Sequence, residues 1–359
     1  MDAAPVKNDV KTEQLTALNG LLDDFFERQT KQSQLVSPYY QDLWKEMQRL
    51  VQSGGKRLRP RMTLLAYQAF GGQEMGEALP IAAAQELLHL SMLIHDDVID
   101  RDYVRYGVDN VAGAYQKHYE ELVPDPSDRL HYANSAAILA GDLLISGAYQ
   151  IMLESTAAPT KILEIQKLLG RSIFEVAGGE LIDTEAAFRA AGSIHSETVA
   201  LYKTASYTFI SPLLIGAVLA GASADDQTMM KLFAKNLGIA FQLRDDVIGV
   251  FGNEADTGKS TIGDIREGKR TYLVEQFYKY ANEDDLATFD LYFGNRSIGV
   301  EEAEIVKELL IHTGAREKTE DAIRHYEANA REALGSLGVD EDYRRQLDDL
   351  IVIATKRDR

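Results

Sequence analysis

The sequence predicts an all-α fold. Prolines are few, apolar residues recur at helical spacing over long stretches, and no alternating strand pattern lies between Asn-Gly or Asp-Gly turns. The chain has 8 prolines in 359 residues, well below the usual share of about 5%. Its apolar fraction of 45% is typical of a globular protein. Because no stretch has the composition of an inter-domain linker, we expect a single domain.

The helical pattern is clearest in two segments. Residues on one face of the first are Ile81, Ala84, Leu87, Leu88, Ser91 and Ile94. Those of the second are Phe233, Leu237, Phe241 and Asp245. Glycines and prolines predict breaks between helices at Gly71–Gly72, Pro124–Ser127, Ala158–Pro159 and Gly252–Gly268. Glu320 with Arg324, and Glu327 with Arg331, have the i,i+4 spacing of ion pairs on a solvated helix.

Charge and cysteine content exclude several functional classes. The 38 Lys and Arg against 56 Asp and Glu give a formal net charge of −18, which argues against binding to nucleic acid. The absence of cysteine excludes disulfides, thiolate catalysis and cysteine-ligated metals. The N-terminus has no secretory pattern, and the most apolar stretch, 209–222, is too short and interrupted to span a bilayer. We expect a cytoplasmic protein without a membrane anchor.

A group of aspartates follows the first apolar helical segment. Asp96 and Asp100 are four residues apart, so they share a helical face, and Asp97 lies between them. Unpaired carboxylates there repel each other and, at the end of a helix, oppose the helix dipole. A divalent cation reverses both penalties, and Mg²⁺ is typically held by one or two carboxylates plus substrate phosphates. The alternative is a solvated acidic helix end.

A second aspartate pair, Asp245 and Asp246, follows the second apolar segment. Helical bundles commonly build metal sites from carboxylates on facing helices. Two such pairs in one chain favour a metal site over two solvated helix faces.

Two basic segments stand out in this acidic chain. The first follows Gly54 and Gly55, and its basic residues are Lys56, Arg57 and Arg59. The second is the glycine-rich stretch 257–271, and its basic residues are Lys259, Lys269 and Arg270. Both favour phosphate binding; the alternatives are a basic helix start for the first and a solvated mobile loop for the second. Together with the aspartate pairs, they predict a site for a diphosphate and Mg²⁺.

Three segments, in their order and spacing, resemble the trans-isoprenyl diphosphate synthases, or polyprenyl synthetases: Gly54–Pro60, Asp96–Asp100 and Phe241–Asp246. Further matches are Ala140–Asp142, Gly178–Asp183 and Tyr202–Ala205. The resemblance covers residues 30 to 350 and implies an all-helical bundle around a deep central cavity, usually in a homodimer. We expect a mobile segment over residues 1–14 and the synthase domain over residues 15–359.

The resemblance also implies an activity, the head-to-tail condensation of isopentenyl diphosphate with an allylic diphosphate. In the family, three Mg²⁺ ions hold the allylic diphosphate and promote departure of pyrophosphate. The double bond of isopentenyl diphosphate then attacks the allylic cation, and a proton is lost. Two alternatives are a class I terpene cyclase and a subunit of a heteromeric synthase. The second aspartate motif, which is followed by lysines, and the first basic segment, which would serve a second diphosphate that cyclases do not bind, argue against a terpene cyclase. The retained aspartates argue against a subunit that has lost metal ligands.

The resemblance assigns roles to individual residues. It implies that Asp96 and Asp100 bind Mg²⁺ with support from Asp97, and that Asp245 binds the remaining Mg²⁺ beside Asp246. The residues implied to hold isopentenyl diphosphate are Lys56, Arg59 and His89, with a core histidine as the alternative for His89. Those implied to hold the allylic diphosphate are Arg105, Lys203, Lys259 and Lys269. Those implied to lie near the developing cation are Thr204 and Gln242.

Two positions depart from the family pattern. Tyr106 stands where a second arginine usually adds to the isopentenyl diphosphate site, which would weaken the affinity for that substrate. Gly249 stands where the second aspartate motif usually ends in a third Asp. Because the shared first Asp is the one expected to bind metal, we expect activity to be retained.

Product length is predicted from the two positions before the first aspartate motif that carry bulky aromatics in C15 synthases of the family. Here they are Ser91 and Met92, about one turn below Asp96 on a helix. Without an aromatic block, we expect a C20 product, geranylgeranyl diphosphate. A C15 or a C25–C35 product is the alternative.

Overall fold

The computed structural model describes residues 8–105, 107–189, 193, 195–252 and 262–356, with side chains from Thr12 onward. Most of these residues are helical, so the predicted all-α class is confirmed. The helices up to residue 186 are α1 Asn8–Ser33, α2 Pro38–Gln52, α3 Leu58–Ala69, α4 Met75–Asp100, α5 Val111–His118, α6 Pro126–Met152 and α7 Pro159–Ala186.

The later helices include one π-helical segment, Ala200–Ile210. The α-helices around it are α8 Ser196–Val199, α9 Ser211–Ala220 and α10 Ala224–Phe251. Those that follow are α11 Gly263–Glu267, α12 Tyr272–Tyr280, α13 Glu283–Tyr292, α14 Val300–His312, α15 Ala315–Gly335 and α16 Glu341–Thr355. Three of the four predicted breaks lie between helices or at a helix end. In the fourth, Gly252–Gly268, residues 253–261 lie outside the described residues and Gly263–Glu267 is helical.

One small hairpin departs from the expectation that the chain has no strands. Val104–Arg105 pairs antiparallel with Val108–Asp109, and Arg105 lies opposite Val108. Strands of two residues are too short to show an alternating pattern, so the sequence gives no sign of them.

The two predicted helical faces lie as expected in α4 and α10. All six residues of the first face, from Ile81 to Ile94, are buried. In the second, Phe233 and Leu237 are buried, whereas Phe241 and Asp245 are partly exposed. The face of α10 therefore changes from core to accessible surface as it approaches its aspartate pair.

The chain folds into two compact units. The first unit comprises the residues up to Leu64 together with Gln73–Glu164, and the second comprises Leu65–Gly72 and the residues from Ile165 onward. Helix α1 begins at Asn8, so the boundary predicted between residues 14 and 15 falls inside a helix. The mobility expected of the N-terminal segment stays a prediction.

In the first unit, α4 packs against α6, and α1 packs against α2 and α4. The aromatic rings of Phe25 and Phe26 meet Trp44 edge-on at centroid distances of 6.2 and 6.3 Å. A side chain at Gly147 of α6 would place its Cβ 2.7 Å from Phe25 Cζ. Small residues on α6 thus let the helices approach closely.

In the second unit, α10 packs against the π-helical segment, α15 and α16. A Cβ at Gly238 would lie 2.5 Å from that of Ala205, so glycine allows α10 to approach the π-helical segment closely. Beyond α10, the stacked rings of Phe277, Phe289 and Phe293 form part of a core with centroid distances of 4.1 and 4.6 Å.

Two helical stretches among the described residues are long and apolar enough to cross a membrane, Pro126–Met152 and Ser196–Ala220. Half of the most apolar window of the first and 72% of that of the second are buried inside the protein. Core helices of water-soluble proteins commonly have this composition.

Candidate active site

In the first unit, the C-terminal turn of α4 carries Asp96, Asp97 and Asp100, as predicted. The helix ends at Asp100 because Arg101 adopts a left-handed conformation with φ of 60°. The amide of Asp102 then donates to the carbonyl of Asp97. Three carboxylates therefore lie where the partial charge of the helix dipole is negative, which is unfavourable without a cation nearby.

The short hairpin returns the chain to this helix end and provides that cation. The Arg105 guanidinium donates from Nε to Asp97 Oδ1 at 2.7 Å and from Nη2 to Asp96 Oδ2 at 3.2 Å. The family resemblance implies that Arg105 holds the allylic diphosphate. The structure brings it against two aspartates of the first motif, a contact that the spacing of the residues did not indicate.

Asp97 is the most buried of the three aspartates, with 2% of its surface exposed. Burial raises its pKa to about 6, although the Arg105 guanidinium opposes the rise. Its second oxygen, Oδ2, is buried and accepts no hydrogen bond. This carboxylate therefore retains negative charge and hydrogen-bonding capacity that Arg105 alone does not satisfy.

The first basic segment spans the end of a loop and the start of α3. Lys56 and Arg57 lie in the loop, whereas Arg59 lies in the first turn of α3 beside Pro60, a position at which helices tolerate proline. The segment is thus partly a helix start, which was the alternative interpretation. The Lys56 side chain is exposed, while Arg59 is buried.

His89 lies on α4, two turns before the aspartates, and is surrounded by cations. Burial lowers its pKa well below 6.5, and the guanidinium charges of Arg59, Arg105 and Arg57 lower it further. Arg59 and His89, both predicted to hold the same substrate, therefore lie near each other. The ring is neutral at physiological pH, so it contributes hydrogen bonds and the arginines contribute charge.

In the second unit, the π-helical segment carries Lys203 and Thr204. Long π-helices are rare and occur frequently at functional sites. Lys203 Nζ donates to Asp183 Oδ2 at 2.7 Å and to Glu180 Oε1 at 3.1 Å, both on α7. A side chain at Gly179 would overlap the backbone of Lys203, which explains the glycine before Glu180.

The next residue of the π-helical segment begins a chain of hydrogen bonds toward α10. The Thr204 hydroxyl donates to Gln242 Oε1, and Gln242 Nε2 donates to Asp246 Oδ1 at 2.8 Å. Asp246 is buried, and this burial raises its pKa to about 7. The structure thus brings together Thr204, Gln242 and Asp246, all three predicted from the sequence to belong to the site.

Among the neighbouring groups, Lys269 has the largest effect in lowering the pKa of Asp246, against the rise caused by burial. Burial disfavours its ammonium, but the carboxylates of Asp264, Asp246 and Asp183 outweigh burial and hold its pKa above the ordinary value. Asp264 also occupies the space beside Gly249, where a side chain would overlap its Oδ2. Asp264 therefore places a carboxylate near the position where the motif lacks its third aspartate.

Several groups in these sites were not assigned a role from the sequence. In the sequence, Glu180 and Asp183 are recognisable only as part of a motif, and Asp264 only as part of a glycine-rich stretch. Arg244, which precedes Asp245, makes a bidentate ion pair with Glu320 of α15, both contacts at 2.7 Å. The predicted pairing of Glu320 with Arg324 is therefore wrong.

The other ion pair predicted from i,i+4 spacing is confirmed, because Arg331 contacts Glu327. Arg324 instead pairs with Asp321, one residue closer. Two other positions named above, Tyr106 and Lys259, lie outside the described residues.

Comparison with known proteins identifies the family of the chain. The model of the polyprenyl synthetase family matches residues 41–310. The chain belongs to the polyprenyl synthetase family. The predicted resemblance is thus confirmed.

Two curated proteins and one crystal structure illustrate this relationship. The chain is 34% identical to a geranylgeranyl diphosphate synthase of Sulfolobus acidocaldarius, over 74% of this chain and 77% of the relative. It is 32% identical to a geranylfarnesyl diphosphate synthase of Aeropyrum pernix, over 86% of this chain and 92% of the relative. A geranylgeranyl pyrophosphate synthase from Corynebacterium glutamicum, crystallised with isoprenyl diphosphate and magnesium, superimposes with a TM-score of 0.88 at 28% identity. That comparison covers 96% of this chain and 99% of the other.

The carboxylates of this polyprenyl synthetase family member fit a Mg²⁺ site. Among the residues that the structure describes, no three acidic or histidine side chains converge as a ready-made cation site. Mg²⁺ is typically bound by one or two carboxylates, waters and substrate phosphates. The buried Oδ2 of Asp97 and the raised pKa of Asp97 and Asp246 indicate carboxylates that would gain from a further cation.

The pKa of His89 leads to a prediction about stability. In the unfolded chain His89 takes up a proton near pH 6.5, whereas in the folded protein it stays neutral to a much lower pH. Its contribution to stability is therefore fully present above about pH 6.5 and is lost as the pH falls toward the folded pKa. We expect His89→Gln to reduce the loss of unfolding free energy between pH 7 and pH 5, by at most about 2 kcal/mol.

Urea unfolding of both proteins at several pH values measures this difference. The exposed His131→Gln is the matched control on α6. Equal pH slopes for wild type and His89→Gln would contradict a depressed pKa for His89.

Proposed function

We propose that this prenyltransferase joins isopentenyl diphosphate head-to-tail to an allylic diphosphate and releases pyrophosphate. The observation that carries the proposal is the pairing of acidic and basic groups in each unit, on segments in the order typical of the family. In the first unit, the aspartates of α4 lie beside Arg105. In the second, the positive charge of Lys269 acts on Asp246 of α10 and lowers the pKa that burial raises. Such groups suit two anionic substrates and a divalent cation.

The basic residues divide between the two substrates in this proposal. Lys56, Arg59 and neutral His89 bind the diphosphate of isopentenyl diphosphate. The residues proposed to bind the allylic diphosphate are Arg105, Lys203, Lys259 and Lys269. Arg105 and Lys203 are paired with carboxylates in this structure, so binding requires either a shift of these side chains or a cation that offsets the carboxylates.

The proposed Mg²⁺ ligands are Asp96 and Asp100 on α4 and Asp245 on α10. We expect three Mg²⁺ ions in all. Mg²⁺ would neutralise the departing diphosphate and so make pyrophosphate a better leaving group. Asp97 and Asp246 support the neighbouring ligands, because each is held by its own hydrogen bonds. Thr204 and Gln242 present oxygens that favour positive charge developing on the allylic carbon.

We propose geranylgeranyl diphosphate, a C20 chain, as the product. Ser91 is fully buried on α4, five residues before Asp96, and Met92 beside it is partly buried. Neither is aromatic, and the Ser91 hydroxyl is buried without a hydrogen bond. The names of the two relatives, geranylgeranyl and geranylfarnesyl diphosphate synthase, support a chain of at least this length.

The first test is product analysis. The purified protein is incubated with Mg²⁺, isopentenyl diphosphate and, in turn, C5, C10 and C15 allylic diphosphates, and the product is identified by mass. We expect a C20 prenyl diphosphate. Chelation of Mg²⁺ with EDTA should abolish turnover, and Asp245→Ala should lower kcat by about 100-fold or more. Failure of every primer would indicate a subunit that needs a partner, and a C15 product would place the limit on chain length elsewhere.

A second prediction concerns chain length. We expect Met92→Phe and Ser91→Phe to shorten the product, because an aromatic ring would fill space below Asp96. Ser91→Phe should also destabilise the protein by about 1–3 kcal/mol, since the side chain enters a packed core. The volume-conserving Met92→Leu serves as the control and should leave the product unchanged. Unchanged chain length in both aromatic variants would refute this explanation of product length.

We further propose that the protein is a cytoplasmic homodimer. Phe174, Leu181 and Phe188, seven residues apart along and just after α7, are 75%, 67% and 84% exposed. Large apolar side chains in one row on a helix favour burial against another chain. Sedimentation should give the mass of a dimer for the wild type, and Phe174→Glu should shift it toward the monomer. A wild-type monomer at micromolar concentration would contradict the proposal.

A further inference from the structure

Arg57 is the one cation of the first basic segment that the proposed function leaves without a role. Its guanidinium donates from Nη1 to Glu86 Oε1 and from Nη2 to the carbonyl of Val51, both at 2.7 Å. Nη1 also reaches the carbonyl of Gly54, and Nε reaches Asn19 Oδ1, each at 3.3 Å. Only 15% of the Arg57 side chain and 6% of that of Glu86 are exposed. The charge of Arg57 is therefore neutralised within the protein.

The loop that carries Arg57 packs closely against this guanidinium, which donates to the carbonyls of Val51 and Gly54. Arg57 itself has φ of 50°, a left-handed conformation that is unfavourable for any residue except glycine. Gly55 has φ of 116°, and a Cβ there would lie 3.1 Å from Arg57 Nη1. Such a backbone persists only where the surrounding contacts enforce it. The hydrogen bonds of Arg57 to Glu86, Val51 and Gly54 are those contacts.

The ion pair joins the loop to α4 at a functionally important place. Arg57 lies between Lys56 and Arg59 in the chain, and Glu86 is three residues before His89, on the same face of α4. The pair therefore links the two elements that carry the proposed ligands of isopentenyl diphosphate.

We propose that Arg57 and Glu86 are positioning residues, whose buried ion pair sets Lys56 and Arg59 relative to His89 and so determines the affinity for isopentenyl diphosphate. This inference rests on the proposed function. Neither residue touches the substrate, and the pair leaves the allylic diphosphate site unchanged.

Electrostatics alone would have the opposite effect to positioning. The Glu86 carboxylate lies near a site for an anion, so its neutralisation in Glu86→Gln would strengthen diphosphate binding if charge were the only factor. If the pair positions the loop, loss of the ion pair weakens binding, because a misplaced ligand loses much of its contribution. The sign of the change in KM therefore separates the two effects.

Steady-state kinetics of Glu86→Gln and Arg57→Lys provide the test. Arg57→Lys keeps the charge but loses the forked geometry of the guanidinium. We expect the KM for isopentenyl diphosphate to rise about 10-fold in both variants, with the KM for the allylic diphosphate within about twofold of wild type. Glu154→Gln is the matched control, because Glu154 makes an exposed ion pair with Arg28 in the same unit. It should leave both KM values unchanged.

Lys56→Ala and Arg59→Ala are measured in parallel to separate the two proposals. If these variants do not raise the KM for isopentenyl diphosphate, the proposed substrate site is wrong. If they do, while Glu86→Gln and Arg57→Lys leave that KM unchanged or lower it, the positioning role is overturned. An equal rise in both KM values would also overturn it, since that result indicates general destabilisation. Should Glu86→Gln fail to fold, Arg57→Lys decides alone.

Discussion

Carboxylates withdrawn from water need a cation close by, and this requirement organises both candidate sites. Asp97 and Asp246 lie near the ends of long helices, and burial raises the pKa of each. In each unit, a basic residue that follows the helix in the chain offsets the carboxylate: Arg105 after α4 contacts Asp97, and the charge of Lys269 after α10 lowers the pKa of Asp246. A carboxylate so placed is partly compensated and remains able to attract a divalent cation.

The backbone conformation positions several of these charged residues close together. A hairpin with strands of two residues each brings Arg105 back to α4. A π-helical segment carries Lys203 and Thr204 next to each other in the chain. Gly179 removes the side chain that would prevent Lys203 from approaching α7, and Gly249 leaves room for Asp264. The glycines in these motifs therefore have steric roles as definite as the chemical roles of the charged residues.

Buried and partly buried ion pairs also connect the sites to the rest of the fold. Arg244 precedes Asp245 and holds Glu320 of α15 in a bidentate pair. Arg57 holds Glu86 of α4 while its backbone remains in a left-handed conformation. Removing one member of such a pair leaves an uncompensated charge, which is costlier than losing an exposed pair. Charged residues within the motifs thus divide into those available to substrate and those that support them.

The amino-acid sequence by itself determined the helical class, the burial of the face from Ile81 to Ile94, and the placement of the first aspartates in the last turn of α4. These features follow from periodicity and spacing among residues that are close together in the sequence. It also determined the family, because several motifs recur in a fixed order.

The partners of the charged residues were decided only by the tertiary structure. Glu320 has the spacing to pair with Arg324 but pairs with Arg244, and Arg105 contacts Asp97, which the spacing of the two residues does not indicate. The sequence gives no sign of the two-residue strands or of the contact between Asp264 and Gly249. An ion pair forms with whichever opposite charge folding brings within a few ångströms, and residues far apart in the chain meet only once the helices have packed.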